Sequence, residues 1–401
     1  MHHLPFPIWA PTWRVFLEYR KALVPTLPLF AVQNVIGGLQ TRLRVLPMGL
    51  CDRSPLMILL LDVVYEGLYS HRVMPKKFAW LCSHESYQPE TLVDQAVKAE
   101  QVGFDVVLGS DHFHPWVDDN SAAGFVWSWF GAVAARTEQV ELATSVTCPL
   151  FHYHPALIAQ AAATADRLSG GRFILGVGTG ENINEGPMGF LFPKYSERIA
   201  RMSEALEIMH RLLAGEKLDF EGRYYRTDKA KLYSPPLRSV PIWMAAGGPK
   251  SATFAGRHAD GLITSVKVPT ETRENVIDPF HEAAGNRKTV MATRWTVFAR
   301  DEDDAWRALG SMRGLRAPGR LKAVDPMELR IQADSMDRSE ILSRYTMVSN
   351  IDELVAAYTP LVTDVEADYV AIQIASTDPD RVLEMAEREL LPELRRLAAD
   401  A

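Results

Sequence analysis

The sequence predicts an α/β protein, a (β/α)8 barrel with insertions. Short apolar runs alternate with longer segments whose apolar residues recur every three or four positions. Eight such strand–helix units fit between residues 74 and 401, within the size range of that barrel. Glycines and polar residues gather directly after the strands, where α/β proteins collect ligands. Alternation alone favours any α/β architecture. The alternative, an open doubly wound sheet, needs fewer strands and a clear nucleotide fingerprint.

The folded domain opens at Met74-Pro75-Lys76-Lys77, with Phe78–Leu81 as its first strand. A helix from Pro89 to Val102 places Leu92, Ala96 and Ala99 on one face. Strand Asp105–Leu108, a helix around Trp127–Arg136 and strand Val140–Val146 follow. Helix Ala156–Leu168 leads into strand Phe173–Val177. The long helix Arg198–Leu213 carries Ile199, Met202, Leu206, Met209 and Leu213 at three- and four-residue steps. Residues 217–234 read as a β-hairpin turning near Glu221-Gly222. Next come strand Pro241–Ala245, helix Pro249–His258, strand Gly261–Ser265, helix Arg273–Ala284 and strand Val290–Arg300. A polar, irregular insertion is expected over 303–345, before helix Ile351–Val362, strand Asp368–Ile374 and helix Pro379–Ala398. Residues 1–73 carry scattered prolines and no sustained period. They are expected to form an N-terminal extension, either the product of an early start or an accessory segment.

With 47% hydrophobic and 23% charged residues, the 401-residue chain has a globular composition. Its formal net charge of −7, with both signs mixed throughout, argues against a general nucleic-acid surface. A phosphorylated ligand would need a local basic pocket. The three cysteines (Cys51, Cys82 and Cys148) are too few and too scattered for a disulfide framework, which fits a reducing cytoplasm. The apolar run Leu56–Val64, interrupted by Asp62, falls far short of the ~20 residues that span a bilayer. The first residues lack a secretory pattern, so no membrane or export segment is expected.

Chemistry concentrates in four loops. Residues 172–185, Arg-Phe-Ile-Leu-Gly-Val-Gly-Thr-Gly-Glu-Asn-Ile-Asn-Glu, end a strand in glycines that admit a ligand to the backbone. Glu181 stands where a pyrophosphate would repel it, and the spacing is not Gly-x-Gly-x-x-Gly, so a nicotinamide reading is poor. In Ser110-Asp111-His112-Phe113-His114-Pro115-Trp116, His112 can take a hydroxyl proton as hydride leaves the same carbon. Asp111 can orient that ring or bond a cofactor, and Trp116 can form an aromatic wall; a capped loop with an ordinary histidine is the alternative. Thr144-Ser145-Val146-Thr147-Cys148-Pro149 either supports a planar ring or merely ends a strand before proline. Ala245-Ala246-Gly247-Gly248-Pro249-Lys250-Ser251 either makes an amide nest for an anion or packs a helix tightly on its strand. His112, His114, His152 and His154 have ligand-like spacing, but no nearby pair of carboxylates or thiolates completes a metal site, and none is expected.

Together, Ser-Asp-His-Phe-x-Pro-Trp (110–116), Gly-Val-Gly-Thr-Gly-Glu-x-x-Asn-Glu (176–185) and Ala-Ala-Gly-Gly-Pro (245–249) resemble the coenzyme F420-dependent glucose-6-phosphate dehydrogenase family. That family belongs to the luciferase-like superfamily of (β/α)8 oxidoreductases, and the resemblance runs from about Lys77 to the C-terminus. It implies F420 as cofactor, His112 as the acid/base on the substrate hydroxyl and Glu181 as the second acid/base, serving the ring as hydride arrives at its C5. It implies that Trp116 and Glu85 line the reacting centre and that Asp111 contacts the deazaflavin. Ser145-Val146 is implied as a non-prolyl cis bond behind the ring. Thr179, Gly180 and Asn184 are implied as further cofactor contacts, with Gly247, Gly248, Lys250 and Ser251 on its phosphate-bearing tail. Cys148 stands where the family has a threonine cofactor contact.

For the substrate phosphate, the resemblance implies a hydroxyl from Thr264 or Ser265, cations from Lys267 and Arg320, and Arg344 in the place of the family's arginine. The implied activity is oxidation of a sugar phosphate, glucose 6-phosphate leading, by a cytoplasmic enzyme that is a homodimer, as is common in the superfamily. Ser83-His84-Glu85 and Phe220–Tyr233 also resemble a relative that oxidises a lipid-linked secondary alcohol. Rival readings are a flavin monooxygenase, a non-catalytic deazaflavin-binding protein and a zinc hydrolase using the four histidines.

Overall fold

Eight parallel strands close on themselves. In the computed structural model, which describes residues 75–400, the strands of the barrel are β1 (Lys77–Cys82), β2 (Val106–Gly109), β3 (Glu141–Thr144), β4 (Phe173–Val177), β7 (Ile242–Ala245), β8 (Gly261–Ser265), β9 (Thr289–Phe298) and β11 (Tyr369–Ala375). The order is β1-β2-β3-β4-β7-β8-β9-β11, and β11 pairs back onto β1. The hairpin β5 (Leu218–Glu221) and β6 (Arg226–Ala230) forms a separate antiparallel pair, and the short β10 (Thr346–Val348) adds to β9. All eight expected strands are present, and the closed barrel replaces the open-sheet alternative.

Strands buried on both faces read as continuous apolar runs, and Phe173–Val177 is buried at every position. The inner layer packs Val106, Leu108, Ala143, Ile174, Trp243, Ile263, Met291 and Ala371 inside the barrel. The outer layer seats the helices. These include α1 (Pro89–Gln101), α2 (Val126–Ala134), α3 (Pro155–Leu168), α4 (Tyr195–Leu213) and α5 (Pro249–His258). On α4, Met202, Leu206 and Met209 are fully buried on the face that periodicity selects.

Some boundaries differ from expectation. The helix expected over Arg273–Ala284 is divided: Arg273–Ile277 forms a wide π turn before α6 (Asp278–Ala284). Pro279, which has no N–H to donate, sits at that junction. β3 stops at Thr144 rather than Val146.

The larger correction is the insertion. Residues 303–345 are not irregular: α7 (Glu302–Leu309), a 3-10 segment (Gly310–Arg316), α8 (Pro326–Ser335) and α9 (Arg338–Leu342) fill them. They enclose a core of their own, with Leu309, Leu315, Leu329 and Ile341 packed together with Trp116 and Ile183 from the loops after β2 and β4. After β10, α10 (Ile351–Thr363) leads into β11, and α11 (Pro379–Met385) and α12 (Leu391–Asp400) close the chain. The expected extension over residues 1–73 lies outside the described residues.

Candidate active site

Because the barrel strands are parallel, each hands its chain to a loop at the same rim, and the chemistry collects there. His112 follows β2. Its Nδ1 lies 3.0 Å from the carbonyl oxygen of His114; a carbonyl only accepts, so Nδ1 carries the proton and donates. That leaves Nε2 toward two carboxylates, 3.2 Å from Glu85 Oε1 and 3.7 Å from Glu181 Oε2. Burial works against a charged ring, but Glu85 and Glu181 outweigh it and hold His112 above its ordinary value. Trp116 packs against the imidazole with ring centroids 5.1 Å apart.

Glu85 follows β1 and is 4% exposed. Its Oε2 accepts from Ser110 Oγ at 2.5 Å and from Ser83 Oγ at 3.0 Å. Burial pushes the carboxyl up, yet His112 and Ser110 together bring it below its usual value, so it stays ionised. Neighbouring His84 is driven down to about 4 by burial and is neutral. Glu181, after β4, goes the other way: burial pushes it up, against the pull of His112 and of Arg320, whose Nη1 lies 3.4 Å away. The two carboxyls beside one histidine are thus shifted in opposite directions, Glu85 below and Glu181 above the ordinary value.

Asp111 does not orient His112. Its Oδ2 accepts from Thr147 Oγ1 and its Oδ1 from the Tyr153 hydroxyl at 3.4 Å, which turns it to the β3 side. Asn184 is buried, and its Oδ1 accepts from the backbone amides of Phe113 and His114 at 3.0 and 3.3 Å. It fixes the loop that carries His112.

The Ser145–Val146 peptide is cis. Gly180 has φ of +82°, and a Cβ there would meet Cys148 Sγ at 2.7 Å, so only glycine fits beside Thr179. Burial, with Glu185 next, pushes the Cys148 thiol well up, and it is neutral. Gly247 and Gly248 face open space at the start of α5, beside half-buried Ser251 and exposed Lys250. Unfilled room before helix-start amides, together with the glycine-rich loop after β4, fits a planar ring bearing a phosphorylated tail.

The four histidines do other work. His152 Nδ1 lies 2.6 Å from Oε2 of the fully buried Glu185, and His154 accepts from the Ala156 amide to cap α3. Among the described residues no group of three His, Cys, Asp or Glu side chains is arranged to hold a metal ion.

Ser265, Lys267, Arg320 and Arg344 line a chamber of about 600 Å³. Thr264 does not: it is 3% exposed, and its buried hydroxyl has no partner. Along β8 the side chains alternate, so of the two candidate hydroxyls only Ser265 reaches the chamber.

The luciferase-like monooxygenase family matches residues 75–375. An F420-dependent glucose-6-phosphate dehydrogenase of Nakamurella multipartita is 38% identical over 332 residues, spanning 80% of this chain and 98% of that protein. The chain belongs to the F420-dependent glucose-6-phosphate dehydrogenase family of luciferase-like proteins. A further member, from Segniliparus rotundus, is 36% identical over 334 residues, spanning 81% of this chain and 99% of its own. Among solved structures, an F420-dependent secondary alcohol dehydrogenase in complex with an F420–acetone adduct matches at 30% identity with a TM-score of 0.73. That match covers 80% of this chain and 99% of the other. The F420-dependent tetrahydromethanopterin reductase of Methanopyrus kandleri, at 20% identity and a TM-score of 0.65 over 80% and 100% of the two chains, shares the luciferase-like fold.

Sequence reasoning missed Ser110 as the support of Glu85, His152 as the partner of Glu185, and Arg294 and Arg316 on the chamber wall. Ser110 was visible inside its motif. Arg316 had no such signal: it lies in none of the motifs, and Arg320 and Arg344 of the same insertion entered only through the family resemblance.

Proposed function

We propose that this chain is an F420-dependent dehydrogenase that oxidises the anomeric hydroxyl of a phosphorylated sugar, with glucose 6-phosphate leading and 6-phosphogluconolactone as product. One observation carries the reading. His112, flanked by Glu85 and Glu181, is joined through Arg320 to a chamber lined by cations, in a chain of net charge −7.

When bound, the deazaflavin supplies the acceptor for the hydride that leaves the carbinol carbon. Neutral His112 takes the hydroxyl proton at Nε2, and Glu85, fixed by Ser83 and Ser110, stabilises the imidazolium that results. Glu181, whose carboxyl is pushed up by burial, serves the ring side as the second acid/base. Trp116 holds His112 in place. Asp111, Ser145, Val146, Cys148, Thr179 and Gly180 would hold the ring, with Asn184 acting through the loop it fixes. Gly247, Gly248, Lys250 and Ser251 would hold the tail. Ser265, Lys267, Arg320 and Arg344 would face the sugar phosphate.

The test mixes purified protein with oxidised F420 and then with glucose 6-phosphate, other sugar phosphates, glucose or isopropanol, while visible absorbance is followed. Bleaching with a sugar phosphate alone supports the proposal. Bleaching with isopropanol but no sugar phosphate gives the secondary-alcohol reading, which the 30% identical solved relative favours. No bleaching sinks both. The proposal includes a cytoplasmic homodimer, supported by cysteine usage and by the family resemblance; light scattering checks the dimer. No helix among the described residues is long and apolar enough to cross a membrane. It also includes a catalytic barrel at 74–401 independent of residues 1–73, so a chain starting at Met74 is expected to keep its turnover.

A further inference from the structure

Lys267, Arg294, Arg316, Arg320 and Arg344 line the chamber beside Glu181, and no carboxylate lines it. Their commitments differ. Arg320 reaches Glu181, Arg344 holds Glu340 at 2.7 Å, and Arg294 donates to the carbonyl oxygens of Val266 and Ala357. Arg316 pairs with no carboxylate among the described residues. Its guanidinium lies over the rings of Tyr345 and Trp295, 4.9 and 5.7 Å from their centroids, and its buried Nε has no hydrogen-bond partner. Aromatic stacking fixes the plane of a guanidinium, and a fixed fork is what binds a phosphate through two parallel N–H bonds. Arg344 donates to the carbonyl oxygen of Arg316 at 2.8 Å, so the two residues share one wall. A half-buried cation without a counter-charge carries a desolvation cost that an anionic ligand offsets.

We propose that Arg316, held by its stack on Tyr345 and Trp295, is the principal ligand of the substrate's phosphate group. It is therefore the residue that selects phosphate monoesters over unphosphorylated alcohols. The inference rests on the phosphosugar reading above and names the side chain behind it. Arg344, which stands in the place of the family's arginine, already has Glu340 as its counter-charge and plays the supporting part.

The test uses the full-length chain, with inorganic phosphate as the binding probe in calorimetry and glucose 6-phosphate as the substrate in turnover. Arg316→Gln should weaken phosphate binding and raise KM for glucose 6-phosphate by about tenfold or more, the loss of one charge-assisted contact. Its kcat and its thermal unfolding should change little. Arg316→Lys keeps the charge but loses the fork, and should fall between the two. Phosphate affinity and KM within about twofold of wild type in the Gln variant overturn the proposal. If that variant does not fold, wild-type affinity in the Lys variant overturns it equally. Loss of phosphate binding in a protein that oxidises no sugar phosphate would sink the substrate reading and leave Arg316 as an anion ligand. Turnover of glucose 6-phosphate with KM unmoved would do the reverse.

Discussion

His112 can act as a base only when Nε2 is unprotonated, and Glu85 and Glu181 oppose that by holding its pKa above the ordinary value. The ring therefore keeps its proton until pH rises past the raised value. The acid limb of kcat/KM for alcohol oxidation should accordingly lie above the pH expected of an isolated histidine. Glu85→Gln removes the nearer carboxylate, so the limb should move to lower pH while turnover falls; a limb that stays put would show that Glu85 does not tune the histidine. His112→Ala should lower kcat by about 10²–10⁴-fold, the usual share of general acid–base catalysis, with F420 still bound in a fluorescence titration. Near-wild-type turnover would remove His112 from the reaction. At this scale the sequence shows residue types in their motifs but not which neighbours they meet. Ser110 reaches Glu85 across 25 positions because Leu81 pairs with Leu108 and Cys82 with Gly109. That register is a property of the sheet.

Elements with one dominant signal were legible, and elements whose signal is diluted were not. The barrel strands are buried on both faces, so their apolar runs stand out; α4 keeps its three- and four-residue period over five turns. The insertion helices are short, and their buried apolar residues (Leu309, Leu315, Leu329 and Ile341) come from four separate segments, so no one segment repeats the pattern over many turns. Gly176 shows what closure adds to a legible strand. Its amide donates to Thr144 Oγ1 at 2.8 Å, and the same hydroxyl donates to its carbonyl oxygen at 2.7 Å. A Cβ at 176 would lie 2.0 Å from the Thr144 carbonyl oxygen, which is backbone and cannot swing away. Gly176→Ala should therefore destabilise the barrel by about 1–3 kcal/mol, the usual cost of overpacking. Urea unfolding measures it, and an unchanged midpoint would show that β3 and β4 can spread.

Across the whole molecule, two cores meet at the active-site rim, and Arg313 ties the insertion to the loop after β2. Its side chain is buried. It pairs with Asp119 of the β2 loop at 2.6 Å and with Asp334 of α8 at 2.9 Å, and donates to the carbonyl oxygen of Gly310. Both carboxylates are more than 40% exposed and can be rehydrated, so Arg313→Met should cost about 1–3 kcal/mol, less than breaking a fully buried pair. That loss should fall on one part of the chain. The insertion packs on one apolar cluster, which reaches the barrel at Val297 of β9, whereas the other barrel strands pack on two further clusters. Hydrogen exchange should accelerate over residues 302–342 and in the loop after β2, while β1 to β4 keep their protection. Because Arg316 and Arg320 ride on the loosened segment and Trp116 packs beneath it, KM for the sugar phosphate should rise before the barrel melts. Exchange that accelerates uniformly would mean that the two cores unfold as one; exchange that stays unchanged would mean that the remaining contacts, such as Arg330 with Asp118 and Asn182 with the Lys322 carbonyl oxygen, hold the insertion down.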